Sequence, residues 1–291
     1  MQNTITEAYS QMYSTKQLLV EELHPEIQNI LDSDSIQQEN KLDVVSKKVR
    51  ELASAGVDTG LENSTPKMGS SRAVFFPKEA KQVVVDGNPT TSQTAVKIAF
   101  KGILDHHHKN TMFGIQQNQL EADPHLTNNY SVLAKKDDGT FKTNDSQSGG
   151  IIPPVFSSHP EGHHIEMGKA APIGKGDMIQ LTRTPDFPHG ITFDDIFHTL
   201  NREHSYSMGQ PYNGSTDERM DKVSKHPWVS DAINFMHDSG LHPCDFAKRN
   251  CGVYTHPVSG KRHLVMLDYG YSSNLAKQYT DARKKRERSG L

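Results

Sequence analysis

The sequence predicts an α+β fold, on three observations. Polar stretches with apolar residues at helical spacing fill the chain before residue 60, short β-branched and aromatic runs crowd the middle, and helical stripes return after residue 190. The 291 residues suffice for one large domain or two lobes. We divide the chain into a helical extension over 1–64, a strand-rich part over 65–169, and a helix-rich part over 170–291 that ends in a basic tail.

In the extension, Leu18, Leu19 and Val20 form one apolar group, and Ile27, Ile30 and Leu31 follow a break at Pro25. Leu42, Val45, Val49 and Leu52 make the clearest stripe, with Gly56 as its stop. Strand patterns begin at 73–76, continue at 82–85 into the turn Asp86-Gly87-Asn88-Pro89, and resume at 94–100. This last run carries one charged residue, Lys97. A buried ammonium there needs a counter-charge or a phosphate, whereas an exposed one needs neither.

Residues 111–122 then read as a helix through Met112, Phe113, Ile115 and Leu120, and Glu121 is the single Glu between 100 and 124. It fits either a partner for Lys97 or a solvated helix end. Residues 135–150 read as a polar loop without a core, and 151–156 and 163–167 as two strands. Further on, Thr192 caps a helix with the stripe Phe193, Ile196, Phe197 and Leu200. A second stripe, Trp228 or Val229 with Ala232, Ile233 and Met236, ends at Gly240. Residues 203–220 between them read as irregular.

Composition removes several function classes. With 34% apolar and 23% charged residues and no apolar run of bilayer length, the chain predicts a protein with no membrane span. Its first residues lack a signal-peptide pattern, so the expected compartment is the cytoplasm. Cys244 and Cys251 alone offer no zinc or disulfide framework and read as free thiols. A net charge of -3 argues against whole-surface nucleic-acid binding. Only the tail departs from this: Arg283, Lys284, Lys285, Arg286 and Arg288 form a run that is more often a solvated helix end than an arm for an acidic partner. Adjacent His106, His107 and His108 cannot all face one ion from a regular element, and the same holds for the pair His163-His164.

The chemistry concentrates in residues 241–272. Asp245 is followed by Asn250, and Asp268 opens an Asp-Tyr-Gly turn directly after the apolar run Leu264-Val265-Met266-Leu267. Asn and Asp oxygens are hard ligands that suit Mg²⁺ while leaving positions for phosphate and water. A further carboxylate is needed to take the proton of an acceptor hydroxyl. Read without that chemistry, Asp245 and Asn250 shape a turn and the hairpin merely buries Leu264 to Leu267.

This stretch resembles the protein-kinase-like family, with its Asp-x-x-x-x-Asn loop and Asp-Phe-Gly turn. Here the loop reads Asp245-Phe246-Ala247-Lys248-Arg249-Asn250 and the turn Asp268-Tyr269-Gly270, while Pro243-Cys244 replaces the family's His-Arg. Ala95-Val96-Lys97 is similar to the family's Ala-x-Lys strand. The resemblance implies a two-lobed kinase-like fold: a small antiparallel-sheet N-lobe, a shortened helical C-lobe and the N-terminal helical extension. It implies ATP and Mg as cofactors, with Lys97 on the α and β phosphates, Glu121 holding Lys97, Asp245 as base, and Asn250 and Asp268 on the metal. Gly69, Ser70 and Ser71 would form the phosphate-covering turn, although the residues fit an ordinary hairpin turn as well. Glu166, Met167 and Gly168 would be the hinge whose backbone holds adenine.

Few residues follow Asp268 and none forms an Ala-Pro-Glu segment, so a shortened lower lobe is expected. In that respect the chain is similar to the compact Ser/Thr kinases of short-tailed bacteriophages, which implies phosphorylation of bacterial host proteins. Two alternatives stay open: a catalytically weak kinase-like protein that binds a host or virion partner, and a small-molecule kinase.

Overall fold

The computed structural model describes residues 24–32, 44, 47–52, 54–57, 59, 61, 67–68, 72–99, 111–162, 164–174, 176–212, 218–243 and 246–269. Helix α1 (Pro25–Asp32) comes first, followed by strands β1 (Lys67–Met68), β2 (Arg72–Phe75), β3 (Lys81–Val85), β4 (Asn88–Ser92) and β5 (Thr94–Ala99). Helices α2 (Thr111–Glu121) and α3 (Pro124–Tyr130) lead to strands β6 (Leu133–Lys135), β7 (Phe141–Thr143), β8 (Val155–Ser158), β9 (His164–Gly168) and β10 (Ala171–Pro172). Helices α4 (Asp177–Leu181), α5 (Phe193–Ser207), α6 (Glu218–Val223) and α7 (Pro227–Ser239) then precede the hairpin of β11 (Cys251–Thr255) and β12 (Arg262–Met266). The protein is thus mixed α+β, and no helix among the described residues is long and apolar enough to cross a membrane.

The central sheet has the order β1-β2-β5-β9-β8 and is antiparallel throughout. Its register decides what each face carries. Lys97 sits opposite Val74 on one side and Ile165 on the other, so Arg72, Val74, Lys97, Ile165 and Met167 share a face. Ala73, Phe75 and Ile98 point the other way, where Ile27 of α1, Leu52 and Leu61 cover them. The helical extension therefore closes the face opposite Lys97.

A second sheet, β4-β3-β7-β6, is antiparallel except for the β3–β7 pair. Asp86 and Gly87 link β3 to β4 with φ of 50° and 79°, the left-handed backbone that a two-residue hairpin turn requires. Strands β6 and β7 correct the expectation of a coreless loop over 135–150. Phe141 is buried with Leu133, Val83, Val85 and Phe156, but three-residue strands alternate too briefly to register in the sequence. The strand expected from residue 151 begins at Val155. Ile151 and Ile152 are buried outside any ladder and bond the Tyr130 carbonyl, and Pro153-Pro154 supply no N–H for pairing.

The helical part forms around α5 and α7. Thr192 caps α5 in a reciprocal capping box with Asp195, and Gly240 ends α7 at φ 65°. Helix α5 runs on to Ser207, and α6 follows, which corrects the irregular reading of 203–220. The polar residues there clothe the exposed side of α5, and the buried Arg202 ties it to Asp221 of α6 at 2.7 Å. Trp228 Nε1 donates to the Leu264 carbonyl at 2.9 Å and fastens α7 to β12. Ile165 and Met167 of β9 share one core with Val229 and Phe235 of α7 and with Leu264 and Met266 of β12.

Candidate functional site

The β11–β12 hairpin brings the backbone at two of the expected metal ligands, Asn250 and Asp268, to one end of a ladder. Its ladder runs from Thr255 opposite Arg262 to Cys251 opposite Met266, and the Leu267 N–H extends it by donating to the Asn250 carbonyl at 2.7 Å. Asn250 therefore stands opposite the residue that precedes Asp268. The long loop between them in sequence is simply the hairpin. Upstream, Phe246 is buried, stacks on Phe193 at 4.8 Å and packs beside Trp228, so helices α5 and α7 hold the loop from below. Its N–H also bonds the Pro243 carbonyl at 2.9 Å. Asp245 itself lies outside the described residues.

Across from this hairpin end, β5 supplies Lys97 and α2 supplies Glu121. Both are buried, and the Lys97 ammonium donates to Glu121 Oε2 at 2.7 Å and to the Leu267 carbonyl. Arg72 of β2 closes the group. Its Nη1 reaches Glu121 Oε1 at 3.0 Å and Asn118 Oδ1 at 3.2 Å, while Nη2 donates to Asp268 Oδ1. Tyr269 lies fully buried beneath α2: its N–H donates to Glu121 Oε1 at 3.3 Å, and its hydroxyl donates to the Glu121 carbonyl at 3.2 Å. Asp268 is the open member, with 46% of its side chain exposed.

The electrostatics follow from burial and pairing. Burial lowers the Lys97 pKa and Arg72 adds to that, with Glu121 and Asp268 opposing. For Asp268, burial pushes upward, but Arg72, Lys97 and Arg249 outweigh it and hold the carboxyl below its ordinary value. The site therefore keeps a charged carboxylate at its mouth, next to a buried lysine already anchored by a second carboxylate.

The residues expected to form the hinge lie in β9. Glu166 lies opposite Val96, on the other face of the sheet from Lys97, and its carboxylate accepts from Ser157 Oγ at 2.8 Å and from Lys81. Met167 and Gly168 sit inside β9, between the β5 ladder and β8, and the Gly168 N–H already bonds the Pro154 carbonyl at 2.8 Å. Gly168 is small for packing, since an added Cβ would stand 2.5 Å from the Tyr254 ring. The Gly168 N–H is thus already occupied, and the first residues past the strand are Lys169 and Ala170.

Gly69, Ser70 and Ser71 lie outside the described residues, although their flanking strands β1 and β2 pair as a hairpin. Gly270, Cys244, His106, His107, His108, His163 and the basic tail are also outside them. Cys251 is a buried free thiol, and burial pushes its pKa up to about 12. Sequence reasoning missed Arg72 and Asn118. Arg72 had one readable signal: with Ala73 and Phe75 on the apolar face, alternation places it on the face of Lys97.

Among the described residues, no group of three or more His, Cys, Asp or Glu side chains is gathered for a metal ion. Asp268 and Asn250 offer one carboxylate and one amide oxygen. No protein-family model matches the sequence, and no curated protein matches it.

Proposed function

We propose that the protein is an ATP- and Mg²⁺-dependent phosphotransferase of the protein-kinase-like class, acting on Ser or Thr hydroxyls of proteins. One observation carries the reading: Lys97 on its strand is bonded to Glu121 of the following helix, and the two bond the residues on either side of Asp268, Lys97 the Leu267 carbonyl and Glu121 the Tyr269 N–H, at the end of the hairpin that starts at Asn250. Phosphoryl transfer needs this combination of a helix-anchored lysine and a carboxylate for the metal. Lys97, Glu121 and the Leu267–Tyr269 turn are remote in sequence and bond one another, which a decorative hairpin and a solvated Glu would not require.

The donor set fits magnesium. That ion binds through one or two carboxylates, keeps several waters and takes its other ligands from phosphate. Asp268 and Asn250 would hold the ion, which supplies charge neutralisation to the phosphate oxygens. Glu121 keeps Lys97 charged and aimed, and Lys97 orients the α and β phosphates. Asp245, in the loop held by Phe246, takes the proton of the attacking hydroxyl. In this reading residues 65–169 form the N-lobe, residues 170–291 with α4 to α7 and the β11–β12 hairpin form a shortened C-lobe, and the acceptors are proteins of a bacterial host.

Asp245→Asn separates binding from chemistry. Phosphate transfer from γ-labelled ATP should drop about 10²-fold, while a fluorescent ATP analogue binds as to the unaltered protein. Undiminished transfer rejects the assignment. In a cell lysate, labelled protein bands that vanish with Asp245→Asn support a protein acceptor, and label confined to small molecules rejects it.

A further inference from the structure

We propose that Arg72 is a built-in counter-ion for Asp268, which a divalent cation entering the site must displace. The inference rests on the reading of Asp268 as a metal ligand. Within the cluster, Arg72 and Lys97 already match the two carboxylates Glu121 and Asp268, and Arg249 adds a third positive charge near Asp268. An arriving ion therefore meets a carboxylate whose charge is already answered, and it competes for Asp268 with a guanidinium.

The geometry makes that exchange directional. Both Glu121 oxygens are taken, Oε1 by Arg72 and Tyr269 N–H and Oε2 by Lys97, and the residue is fully buried. Asp268 is the half-exposed partner. If Arg72 lets go of Asp268, its Nη1 keeps Glu121 at 3.0 Å and Asn118 at 3.2 Å, so no buried cation is left unpaired. Losing Glu121 instead would take the one bonded carboxylate from Lys97 and leave Arg72 with Asp268 alone. Release at the open end is the low-cost step, and the same fork then stands beside the metal and the phosphates. Arg72 is thus a positioning residue that sets the ion concentration at which the site fills.

Mn²⁺ binding, measured from the free-ion paramagnetic signal without nucleotide, tests this. Arg72→Gln should bind Mn²⁺ about tenfold tighter than the unaltered protein or better. Arg72→Lys, which keeps the charge but lacks the fork to span Glu121 and Asp268, should fall between them. Equal or weaker affinity in a folded Arg72→Gln overturns the proposal; if that variant unfolds, tighter binding by Arg72→Lys supports it and equal or weaker binding overturns it. Asp268→Asn separates the two levels of the argument. If that change leaves Mn²⁺ affinity intact, the metal-site reading and the counter-ion role both fall. If it abolishes binding while the Arg72 variants stay at the original affinity, only the counter-ion role falls.

Discussion

Glu121 shows how much one residue decides. It is fully buried and answers both Lys97 and Arg72, so Glu121→Ala leaves two buried cations short of a partner. Breaking such a pair costs about 3 to 5 kcal/mol, which a urea midpoint should reveal alongside the loss of transfer. A second residue-scale prediction concerns pH. Burial, helped by Lys261 and His256, lowers the His263 pKa to about 4, and its Nε2 is buried without a partner. The unfolded chain then binds a proton near pH 6.5 that the folded protein refuses. Stability contributed by neutral His263 is full above that point and falls as pH drops toward 4, by at most about 3 kcal/mol. His263→Phe should flatten the stability profile between pH 6.5 and 4, and an unchanged slope would contradict the assignment. The sequence made Lys97 legible, because a lone cation on an apolar strand needs a partner, and it left Glu121 as the one candidate in the next helix. Arg72 escaped because it closes a turn, where a cation needs no explanation.

At the scale of elements, legibility tracked length and punctuation. Helices α5 and α7 could be placed from a Thr cap, two apolar stripes and a terminal Gly, because each signal spans several turns. Thr192→Ala should cost about 1 kcal/mol of stability by removing the capping box, read as a lower melting temperature with little change in nucleotide binding. Strands β6 and β7 stayed hidden because only Leu133 and Phe141 mark their buried face. The β11–β12 hairpin explains the wide separation of Asn250 and Asp268, since its ladder folds that length back on itself. Phe246 is the link from helix to loop. Phe246→Ala removes its stack with Phe193 and should cost about 3 to 5 kcal/mol while lowering transfer, because the loop bearing Asp245 loses its buried anchor. A full-rate Phe246→Ala protein would show that the anchor does not position Asp245.

At the scale of the molecule, the central sheet separates two tasks. One face gathers Arg72 and Lys97 toward Glu121 and Asp268; the other is sealed by Ile27, Leu52 and Leu61. The α+β class and the strand-rich middle followed from the changes in period along the chain. The packing of the extension against the sheet did not, because an apolar stripe fixes which side of a helix is buried and leaves its partner unnamed. Ile27→Ala should lower stability by about 2 to 5 kcal/mol, with nucleotide affinity kept where the fold survives. The central claim is that Lys97 and Asp268 serve one triphosphate. Its most direct test is γ-phosphate turnover by the unaltered protein, Lys97→Met and Asp268→Asn, each confirmed folded by circular dichroism. Mg²⁺-dependent turnover should fall at least about 10²-fold in both variants; turnover that either variant retains in full would contradict the shared role.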